Sequence, residues 1–180
     1  DHCNKMDAII VPSTFTKNVI KRSGPLLVPI FVIPEWFNQQ ILAHDKKQIK
    51  IEKDERYTLD TDFNVMIMGL LTSISPVDDR KNLLNTIRWT LEAFADKKDV
   101  GIVVKTSMGK STGLDKKMTS NYLSQIVENY RKTKYPKVYL FHGHMSPDEI
   151  ATLHKSKINV FASATRGEGY GLPLIDAAAS

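Results

Sequence analysis

Short apolar runs alternate with amphipathic stretches along this chain. Ala8-Ile9-Ile10-Val11 is a continuous apolar run closed by Pro12 and Ser13, the pattern of a strand buried on both faces of a parallel sheet. Ser13 then predicts the cap of a short helix ending near Gly24. Residues 26–33 predict a second strand, which Pro34, Glu35 and Trp36 turn away; Trp36 is expected where two domains meet.

From residue 38 to 62, Gln, Lys, Asp and Glu dominate with no sustained period, so this stretch reads as a connection between domains. Regular alternation follows, with strands predicted over 63–68, 100–105, 137–141 and 158–162. Helices are predicted over 80–95, 116–134 and 146–155, the last capped by Ser146 with Pro147 at its first position. Trp89, at helical spacing with Ile87, Leu91 and Ala93, reads as core. A Gly-rich loop leads into a final helix.

This order argues for an α/β fold with a Rossmann-like open parallel sheet and helices on both faces. The expected division is residues 1–37 as the tail of one such domain, 38–62 as connector and 63–180 as most of a second. The chain begins at Asp1, and the helical pattern from Leu172 stops without Gly, Asn or a basic last turn, so it reads as truncated at both ends.

Composition adds limits. The 180 residues are 42% hydrophobic and 25% charged, ordinary for a globular protein. The longest apolar stretch, interrupted by Pro29, falls far short of the roughly 20 residues that cross a bilayer. Cys3 is the only cysteine, which excludes an internal disulfide and favours a reducing, cytoplasmic compartment. The net charge of +5 is spread along the chain; it reads as a solvated basic surface, with attraction to phosphate-bearing ligands or to a cytoplasmic membrane face left open. Aromatics interleaved with these cations are not evident, so nucleic acid is not an expected partner.

In open parallel sheets ligands bind beyond the carboxyl ends of the strands, which selects the loops 69–79, 105–113, 142–145 and 163–171. The last holds Arg166-Gly167-Glu168-Gly169-Tyr170-Gly171-Leu172-Pro173. Its glycines let the backbone approach a ligand, and the helix that follows points unpaired N–H groups into the same space. A carboxylate beside a bound phosphate is repulsive unless it reaches another part of the ligand. Sugar hydroxyls are suitable partners, so N–H groups with Glu168 and Asp176 suit a sugar diphosphate; a tight strand-to-helix connection with Glu168 in solvent is the plain alternative.

Glu168-Gly169-Tyr170-Gly171-Leu172-Pro173-Leu174-Ile175-Asp176-Ala177 resembles the "E-G-F-G-L-P-x-x-E-A" segment of retaining glycosyltransferases of the GT-B fold, family 4-like, also termed group 1. The spacing is kept, with Asp in the second acidic place. The resemblance extends to Phe141-His142-Gly143-His144-Met145-Ser146, to the stretch from Leu153 to Phe161, and to Ala8 to Ser13, similar to the end of the family's acceptor domain.

The resemblance implies a hexosyltransferase-like enzyme that moves a sugar from a UDP- or GDP-sugar to a carbohydrate or lipid-linked acceptor with retention, without a metal. The acceptor domain would be mostly missing and the piece alone inactive. Glu168 would contact the donor sugar as the catalytic residue. Gly169, Tyr170 and Gly171 would offer backbone N–H groups to the donor, and Asp176 would hold the ribose. Lys81 matches the family's diphosphate Lys, whereas the family's Arg position is Leu70, a departure that Arg80 or Lys105 could compensate. His144 would lie near the base. A nucleotide-sugar-binding module without catalysis, or a sugar-nucleotide epimerase of the same fold, are the alternatives.

Three further patterns are set aside. Gly109-Lys110-Ser111 lacks the earlier glycine of a phosphate-binding loop, since Val104 stands there. Asp60-Thr61-Asp62 has a metal-binding form but lies in the polar connector. His142 and His144 lack a third ligand with suitable spacing.

Overall fold

The computed structural model describes residues 2–43, 57–71 and 79–180. The chain divides into two compact units, Asp1–Phe37 and Asn38–Ser180.

In the first unit, β1 (Ile9–Val11) pairs in parallel with β2 (Ile30–Val32), joined through helix α1 (Thr14–Arg22). The Ser13 hydroxyl caps α1 by accepting the Thr16 N–H at 3.1 Å. Two expectations change here. The strand predicted over 26–33 contracts to three residues, because Pro29 has no N–H to give a ladder and the Leu27 N–H is taken by Asn4 Oδ1 at 2.8 Å. β1 is not buried on both faces: only Val11 is buried, and Ile10 is 65% exposed.

The second unit is built on a four-stranded parallel sheet of order β5-β4-β3-β6, with β3 (Phe63–Met68), β4 (Val100–Thr106), β5 (Lys137–His142) and β6 (Val160–Phe161). From β3 the chain moves outward to β4 and β5, then returns to place β6 on the other side of β3. The strand order thus reverses at β3, and beside such a switch point open parallel sheets bind their ligands.

Helices α3 (Leu83–Ala93) and α4 (Gly113–Tyr130) cover one face, where Leu83, Ile87, Leu91, Leu123 and Ile126 pack on Ile67, Ile102 and Val104. Alternate positions, Met66 and Val103, face the other way and pack with Tyr57, Phe141 and Leu153 of α5 (Pro147–Lys157). Within the stretch read as connector, α2 (Gln40–Ala43) packs against α5 and α6 (Leu172–Ala179), with Ile41 fully buried. Residues 44–56 lie outside the described residues.

Helix starts follow side-chain caps more closely than apolar periodicity. Helix α5 begins with a complete capping box, Ser146 Oγ on the Glu149 N–H at 3.2 Å and Glu149 on the Ser146 N–H at 2.7 Å. Thr112 caps α4 three residues earlier than predicted, through the Asp115 N–H at 3.2 Å. Helix α3 starts three residues later than predicted. Asp79 Oδ2 takes the N–H groups of Leu83 and Leu84, while Asn82 adopts a left-handed φ of 52°, so residues 79–82 form a turn rather than a helical one. Trp89, expected in the core, is 49% exposed on the outer side of α3.

At the amino end of the sheet Asp60 accepts hydrogen bonds from Lys137 and Tyr139, and Thr61 donates to Asn64 at 2.6 Å. Asp60 is thus a structural tie between β3 and β5. Gly101 lies beneath this cluster, where a Cβ would collide with Asn64 Oδ1 and Thr61 Oγ1.

Candidate functional site: a cation and a carboxylate at the switch point

Two adjoining cavities lie beyond the carboxyl ends of β3 and β4. The first, about 390 Å³, is bounded by Arg80, Lys81 and Lys105 among others. The second, about 340 Å³, is bounded by Lys105, His144, His154 and Asp176. Met68, Leu70, Lys105, Ser107 and Pro173 border both, so Lys105 stands where the cavities meet.

Lys81 and Glu168 are brought together. The Lys81 ammonium lies 2.6 Å from Glu168 Oε1 and 2.7 Å from Oε2, and Arg80 Nη1 lies 3.5 Å from Oε2. This contact is prepared by the turn that delays α3. Arg166 N donates to the Arg80 carbonyl at 2.9 Å, Thr165 Oγ1 to the same oxygen at 3.2 Å, and Asn82 Nδ2 to the Ala164 carbonyl at 3.0 Å. Arg80 also donates to the Gly167 carbonyl at 2.5 Å. The loop after β6 is thereby stapled to the turn before α3.

Partial burial pushes the Glu168 carboxyl up, but the Lys81 hydrogen bond and charge, with Thr165 and Arg80, more than offset it and hold it below its ordinary value. Burial lowers the Lys105 ammonium, partly countered by Glu149, and Lys105 donates to the Gly143 carbonyl.

Glu168, Gly169 and Tyr170 do not themselves border either cavity; Glu168 reaches the first through Lys81. Gly171 precedes α6 with a left-handed φ of 81°, whereas a Cβ on Gly167 or Gly169 would meet open space. Only Gly171 therefore needs glycine for its backbone. The other two leave the loop surface bare.

Asp176, buried on α6, accepts the Asn38 N–H through Oδ1 at 2.8 Å. Leu70, at the family's Arg position, is 51% exposed on both cavities. His144 borders the second cavity, and its N–H donates to Ser111 Oγ at 3.0 Å. Of the loop predicted over 69–79, residues 72–78 lie outside the described residues.

Sequence reading missed two features. His142 Nε2 meets Asp115 Oδ2 at 3.0 Å with both side chains buried. Asp115 also takes the N–H groups of Met108 and Lys110 at 3.1 Å, so N–H groups of the loop resembling a phosphate-binding motif are already used. His154, buried on α5, has no hydrogen-bond partner at Nε2; burial lowers its pKa, against the charge of Asp176. Asp115 and His154 lie on helices and His142 ends β5, and no local spacing links any of them to its surroundings in the fold. Among the described residues no group of three or more His, Cys, Asp or Glu side chains could hold a metal ion. No described helix is long and apolar enough to cross a membrane.

No family model matches the chain, and no curated protein matches it by sequence. Solved structures do. One described as trehalose-6-phosphate synthase, OtsA, superposes with a TM-score of 0.64 at 12% identity, covering 98% of this chain and 43% of its own. Another, described as trehalose-6-phosphate from E. coli bound with UDP-2-fluoro glucose, gives 0.60 at 11% identity over 96% of this chain and 43% of its own. A third, from work on glycosyltransfer with retention using bisubstrate glycomimetics of trehalose-6-phosphate synthase, gives 0.60 at 13% identity over 98% and 43%. The chain thus spans less than half the length of the structures it matches. At this identity the likeness carries the fold: α/β, with parallel sheets flanked by helices in the GT-B arrangement that the loop motif resembles.

Proposed function

We propose that the second unit binds a nucleotide diphosphate sugar and that the chain is part of a retaining glycosyltransferase. The observation that carries this reading is the meeting of Lys81 and Glu168 at the switch point of the sheet, beside cavities that continue to Asp176. A cation suits the diphosphate and a carboxylate the sugar hydroxyls, while the cavity bordered by His144 and Asp176 suits the nucleoside.

In this reading Lys81 and Lys105 neutralise charge that grows on the leaving diphosphate. Glu168 orients the sugar and faces the positive charge that develops at the anomeric carbon, so both act more strongly in the transition state than in the ground state. Asp176 holds a ribose hydroxyl with the oxygen that Asn38 leaves unused. No metal is required, because side-chain cations supply the charge. The solved structure bound with UDP-2-fluoro glucose supports a nucleotide-sugar donor, and the acceptor belongs to the chemistry outside this unit.

The test is titration of the chain with UDP and uridine, and with GDP and guanosine, in the presence of EDTA. Lys81→Ala should weaken diphosphate binding by about 1.5–3 kcal/mol, the range of a hydrogen bond to a charged group, and leave nucleoside binding nearly unchanged. Equal losses for both ligand types, or binding that vanishes with EDTA, would contradict the proposal.

A further inference from the structure

The Lys81 ammonium already holds an anion. Both Glu168 oxygens lie within 2.7 Å of it, and the two side chains are 27% and 19% exposed, so the pair is half-shielded from water. A phosphate entering the cavity that Lys81 borders would compete for the same protons. Two anions around one ammonium repel, and Arg80, 3.5 Å from Glu168 on a side chain that is 60% exposed, offsets this only in part.

We propose that Glu168 is an internal counter-ion, which a diphosphate must displace from Lys81, and that it thereby discriminates nucleotide sugars from bare nucleotide diphosphates. The inference rests on the donor-site reading above. A displaced carboxylate loses its ion pair and needs new hydrogen-bond donors. The hydroxyls of a sugar attached to the diphosphate supply them, whereas a bare diphosphate offers only further negative charge.

The loop is built for such an exchange. Up to the Gly167 carbonyl it is fastened to Arg80 and Asn82, but the Glu168 side chain stands between Gly167 and Gly169, whose missing side chains leave open space on both sides. The carboxylate can turn away while its anchor stays in place. After transfer the sugar is gone, Glu168 loses its hydroxyl partners, and its return to Lys81 expels the nucleotide. The same ion pair that taxes entry of a bare diphosphate thus speeds its departure as product.

The experiment is calorimetric titration of the 180-residue chain and its Glu168→Gln and Glu168→Ala variants. Inorganic pyrophosphate is the probe that is independent of the base, and UDP against UDP-glucose and GDP against GDP-mannose are the paired probes. Loss of a half-exposed ion pair and of the repulsion should tighten pyrophosphate binding about tenfold in both variants. The preference for nucleotide sugar over bare nucleotide should shrink in parallel. Pyrophosphate bound no more tightly by either variant, while Lys81→Ala still weakens it, would overturn the inference and leave the donor site standing. Absence of binding by every probe to the parent chain and its variants would overturn both.

Discussion

Asp176 Oδ1 accepts the backbone N–H of Asn38 at 2.8 Å, joining residues 138 positions apart. One carboxylate oxygen is therefore committed to the fold, and only the other is left for a ligand in the cavity that Asp176 borders. Asp176→Ala should cost about 1–3 kcal/mol in urea unfolding, because it orphans a buried donor. Asp176→Asn keeps an acceptor for Asn38 and should cost less than about 1 kcal/mol by the same argument. It should still weaken nucleoside diphosphate binding while sparing pyrophosphate. A parallel loss for both ligands would remove Asp176 from the nucleoside subsite.

Turnover tests Glu168 in another way. In an active preparation carrying this chain, Glu168→Gln should lower kcat by about a hundredfold, the scale of losing one preorganised charge, without raising the donor KM. Single-turnover transfer at saturating donor reads this directly. Unchanged turnover would put the binding-module reading first.

The glycines of the loop separate fold from ligand approach. Gly171→Ala should destabilise the chain by about 1 kcal/mol or more, because an L side chain pays for the left-handed φ of 81°. Gly167→Ala and Gly169→Ala, whose Cβ atoms meet open space, should change stability by less than about 0.5 kcal/mol. If the bare surface serves a ligand, both should nonetheless weaken nucleotide-sugar binding. Thermal shifts with and without UDP-glucose and GDP-mannose distinguish the two effects.

What the sequence made legible was what local pattern controls. The strand from Phe63 to Met68 is legible at its observed bounds because a run buried on both sides begins after the polar Asp60 to Asp62 and ends at Gly69. The start of α3 differs from its expectation because the apolar period runs through Arg80 to Asn82, while Asp79 takes the first N–H groups and delays the helix to Leu83. Resemblance singles out Lys81 and Glu168 separately, but not their contact. That needs β6 to cross beside β3, a matter of topology rather than spacing. His142 and Asp115 were illegible as a pair for the same reason.

Gly101 gives a control far from the ligand end. Gly101→Ala would press a methyl group into Asn64 and Thr61 and should cost about 1–3 kcal/mol, as overpacking does. Ligand affinity of the folded fraction should not change. An affinity loss matching the stability loss would mean that the two ends of the sheet are coupled.

The buried Asp115 should shape acid stability. Burial pushes its carboxyl up, but His142 and the N–H groups of Lys110 and Met108 outweigh this and hold it below the ordinary 3.8. A carboxyl lowered on folding stabilises the native state above its unfolded pKa, and that contribution fades as pH falls through the folded value. Unfolding midpoints measured from pH 6 down to about pH 2 should fall more steeply in the parent than in Asp115→Asn. Parallel curves would rule out this role for the pair.

The contact between Lys81 and Glu168 closes a loop of 87 residues, and its far end hangs on β6, a strand of two residues beside the six of β3. Loop-closure entropy predicts that so long a loop closes after the local β3-α3-β4 unit has formed. In native-state hydrogen exchange the amides of Asn159 and Ala162, which bond β3 from either side of that short strand, should therefore open before those of β4. Warming would then silence the site while most of the sheet survives, which makes ligand affinity a more sensitive thermometer of this protein than its secondary structure.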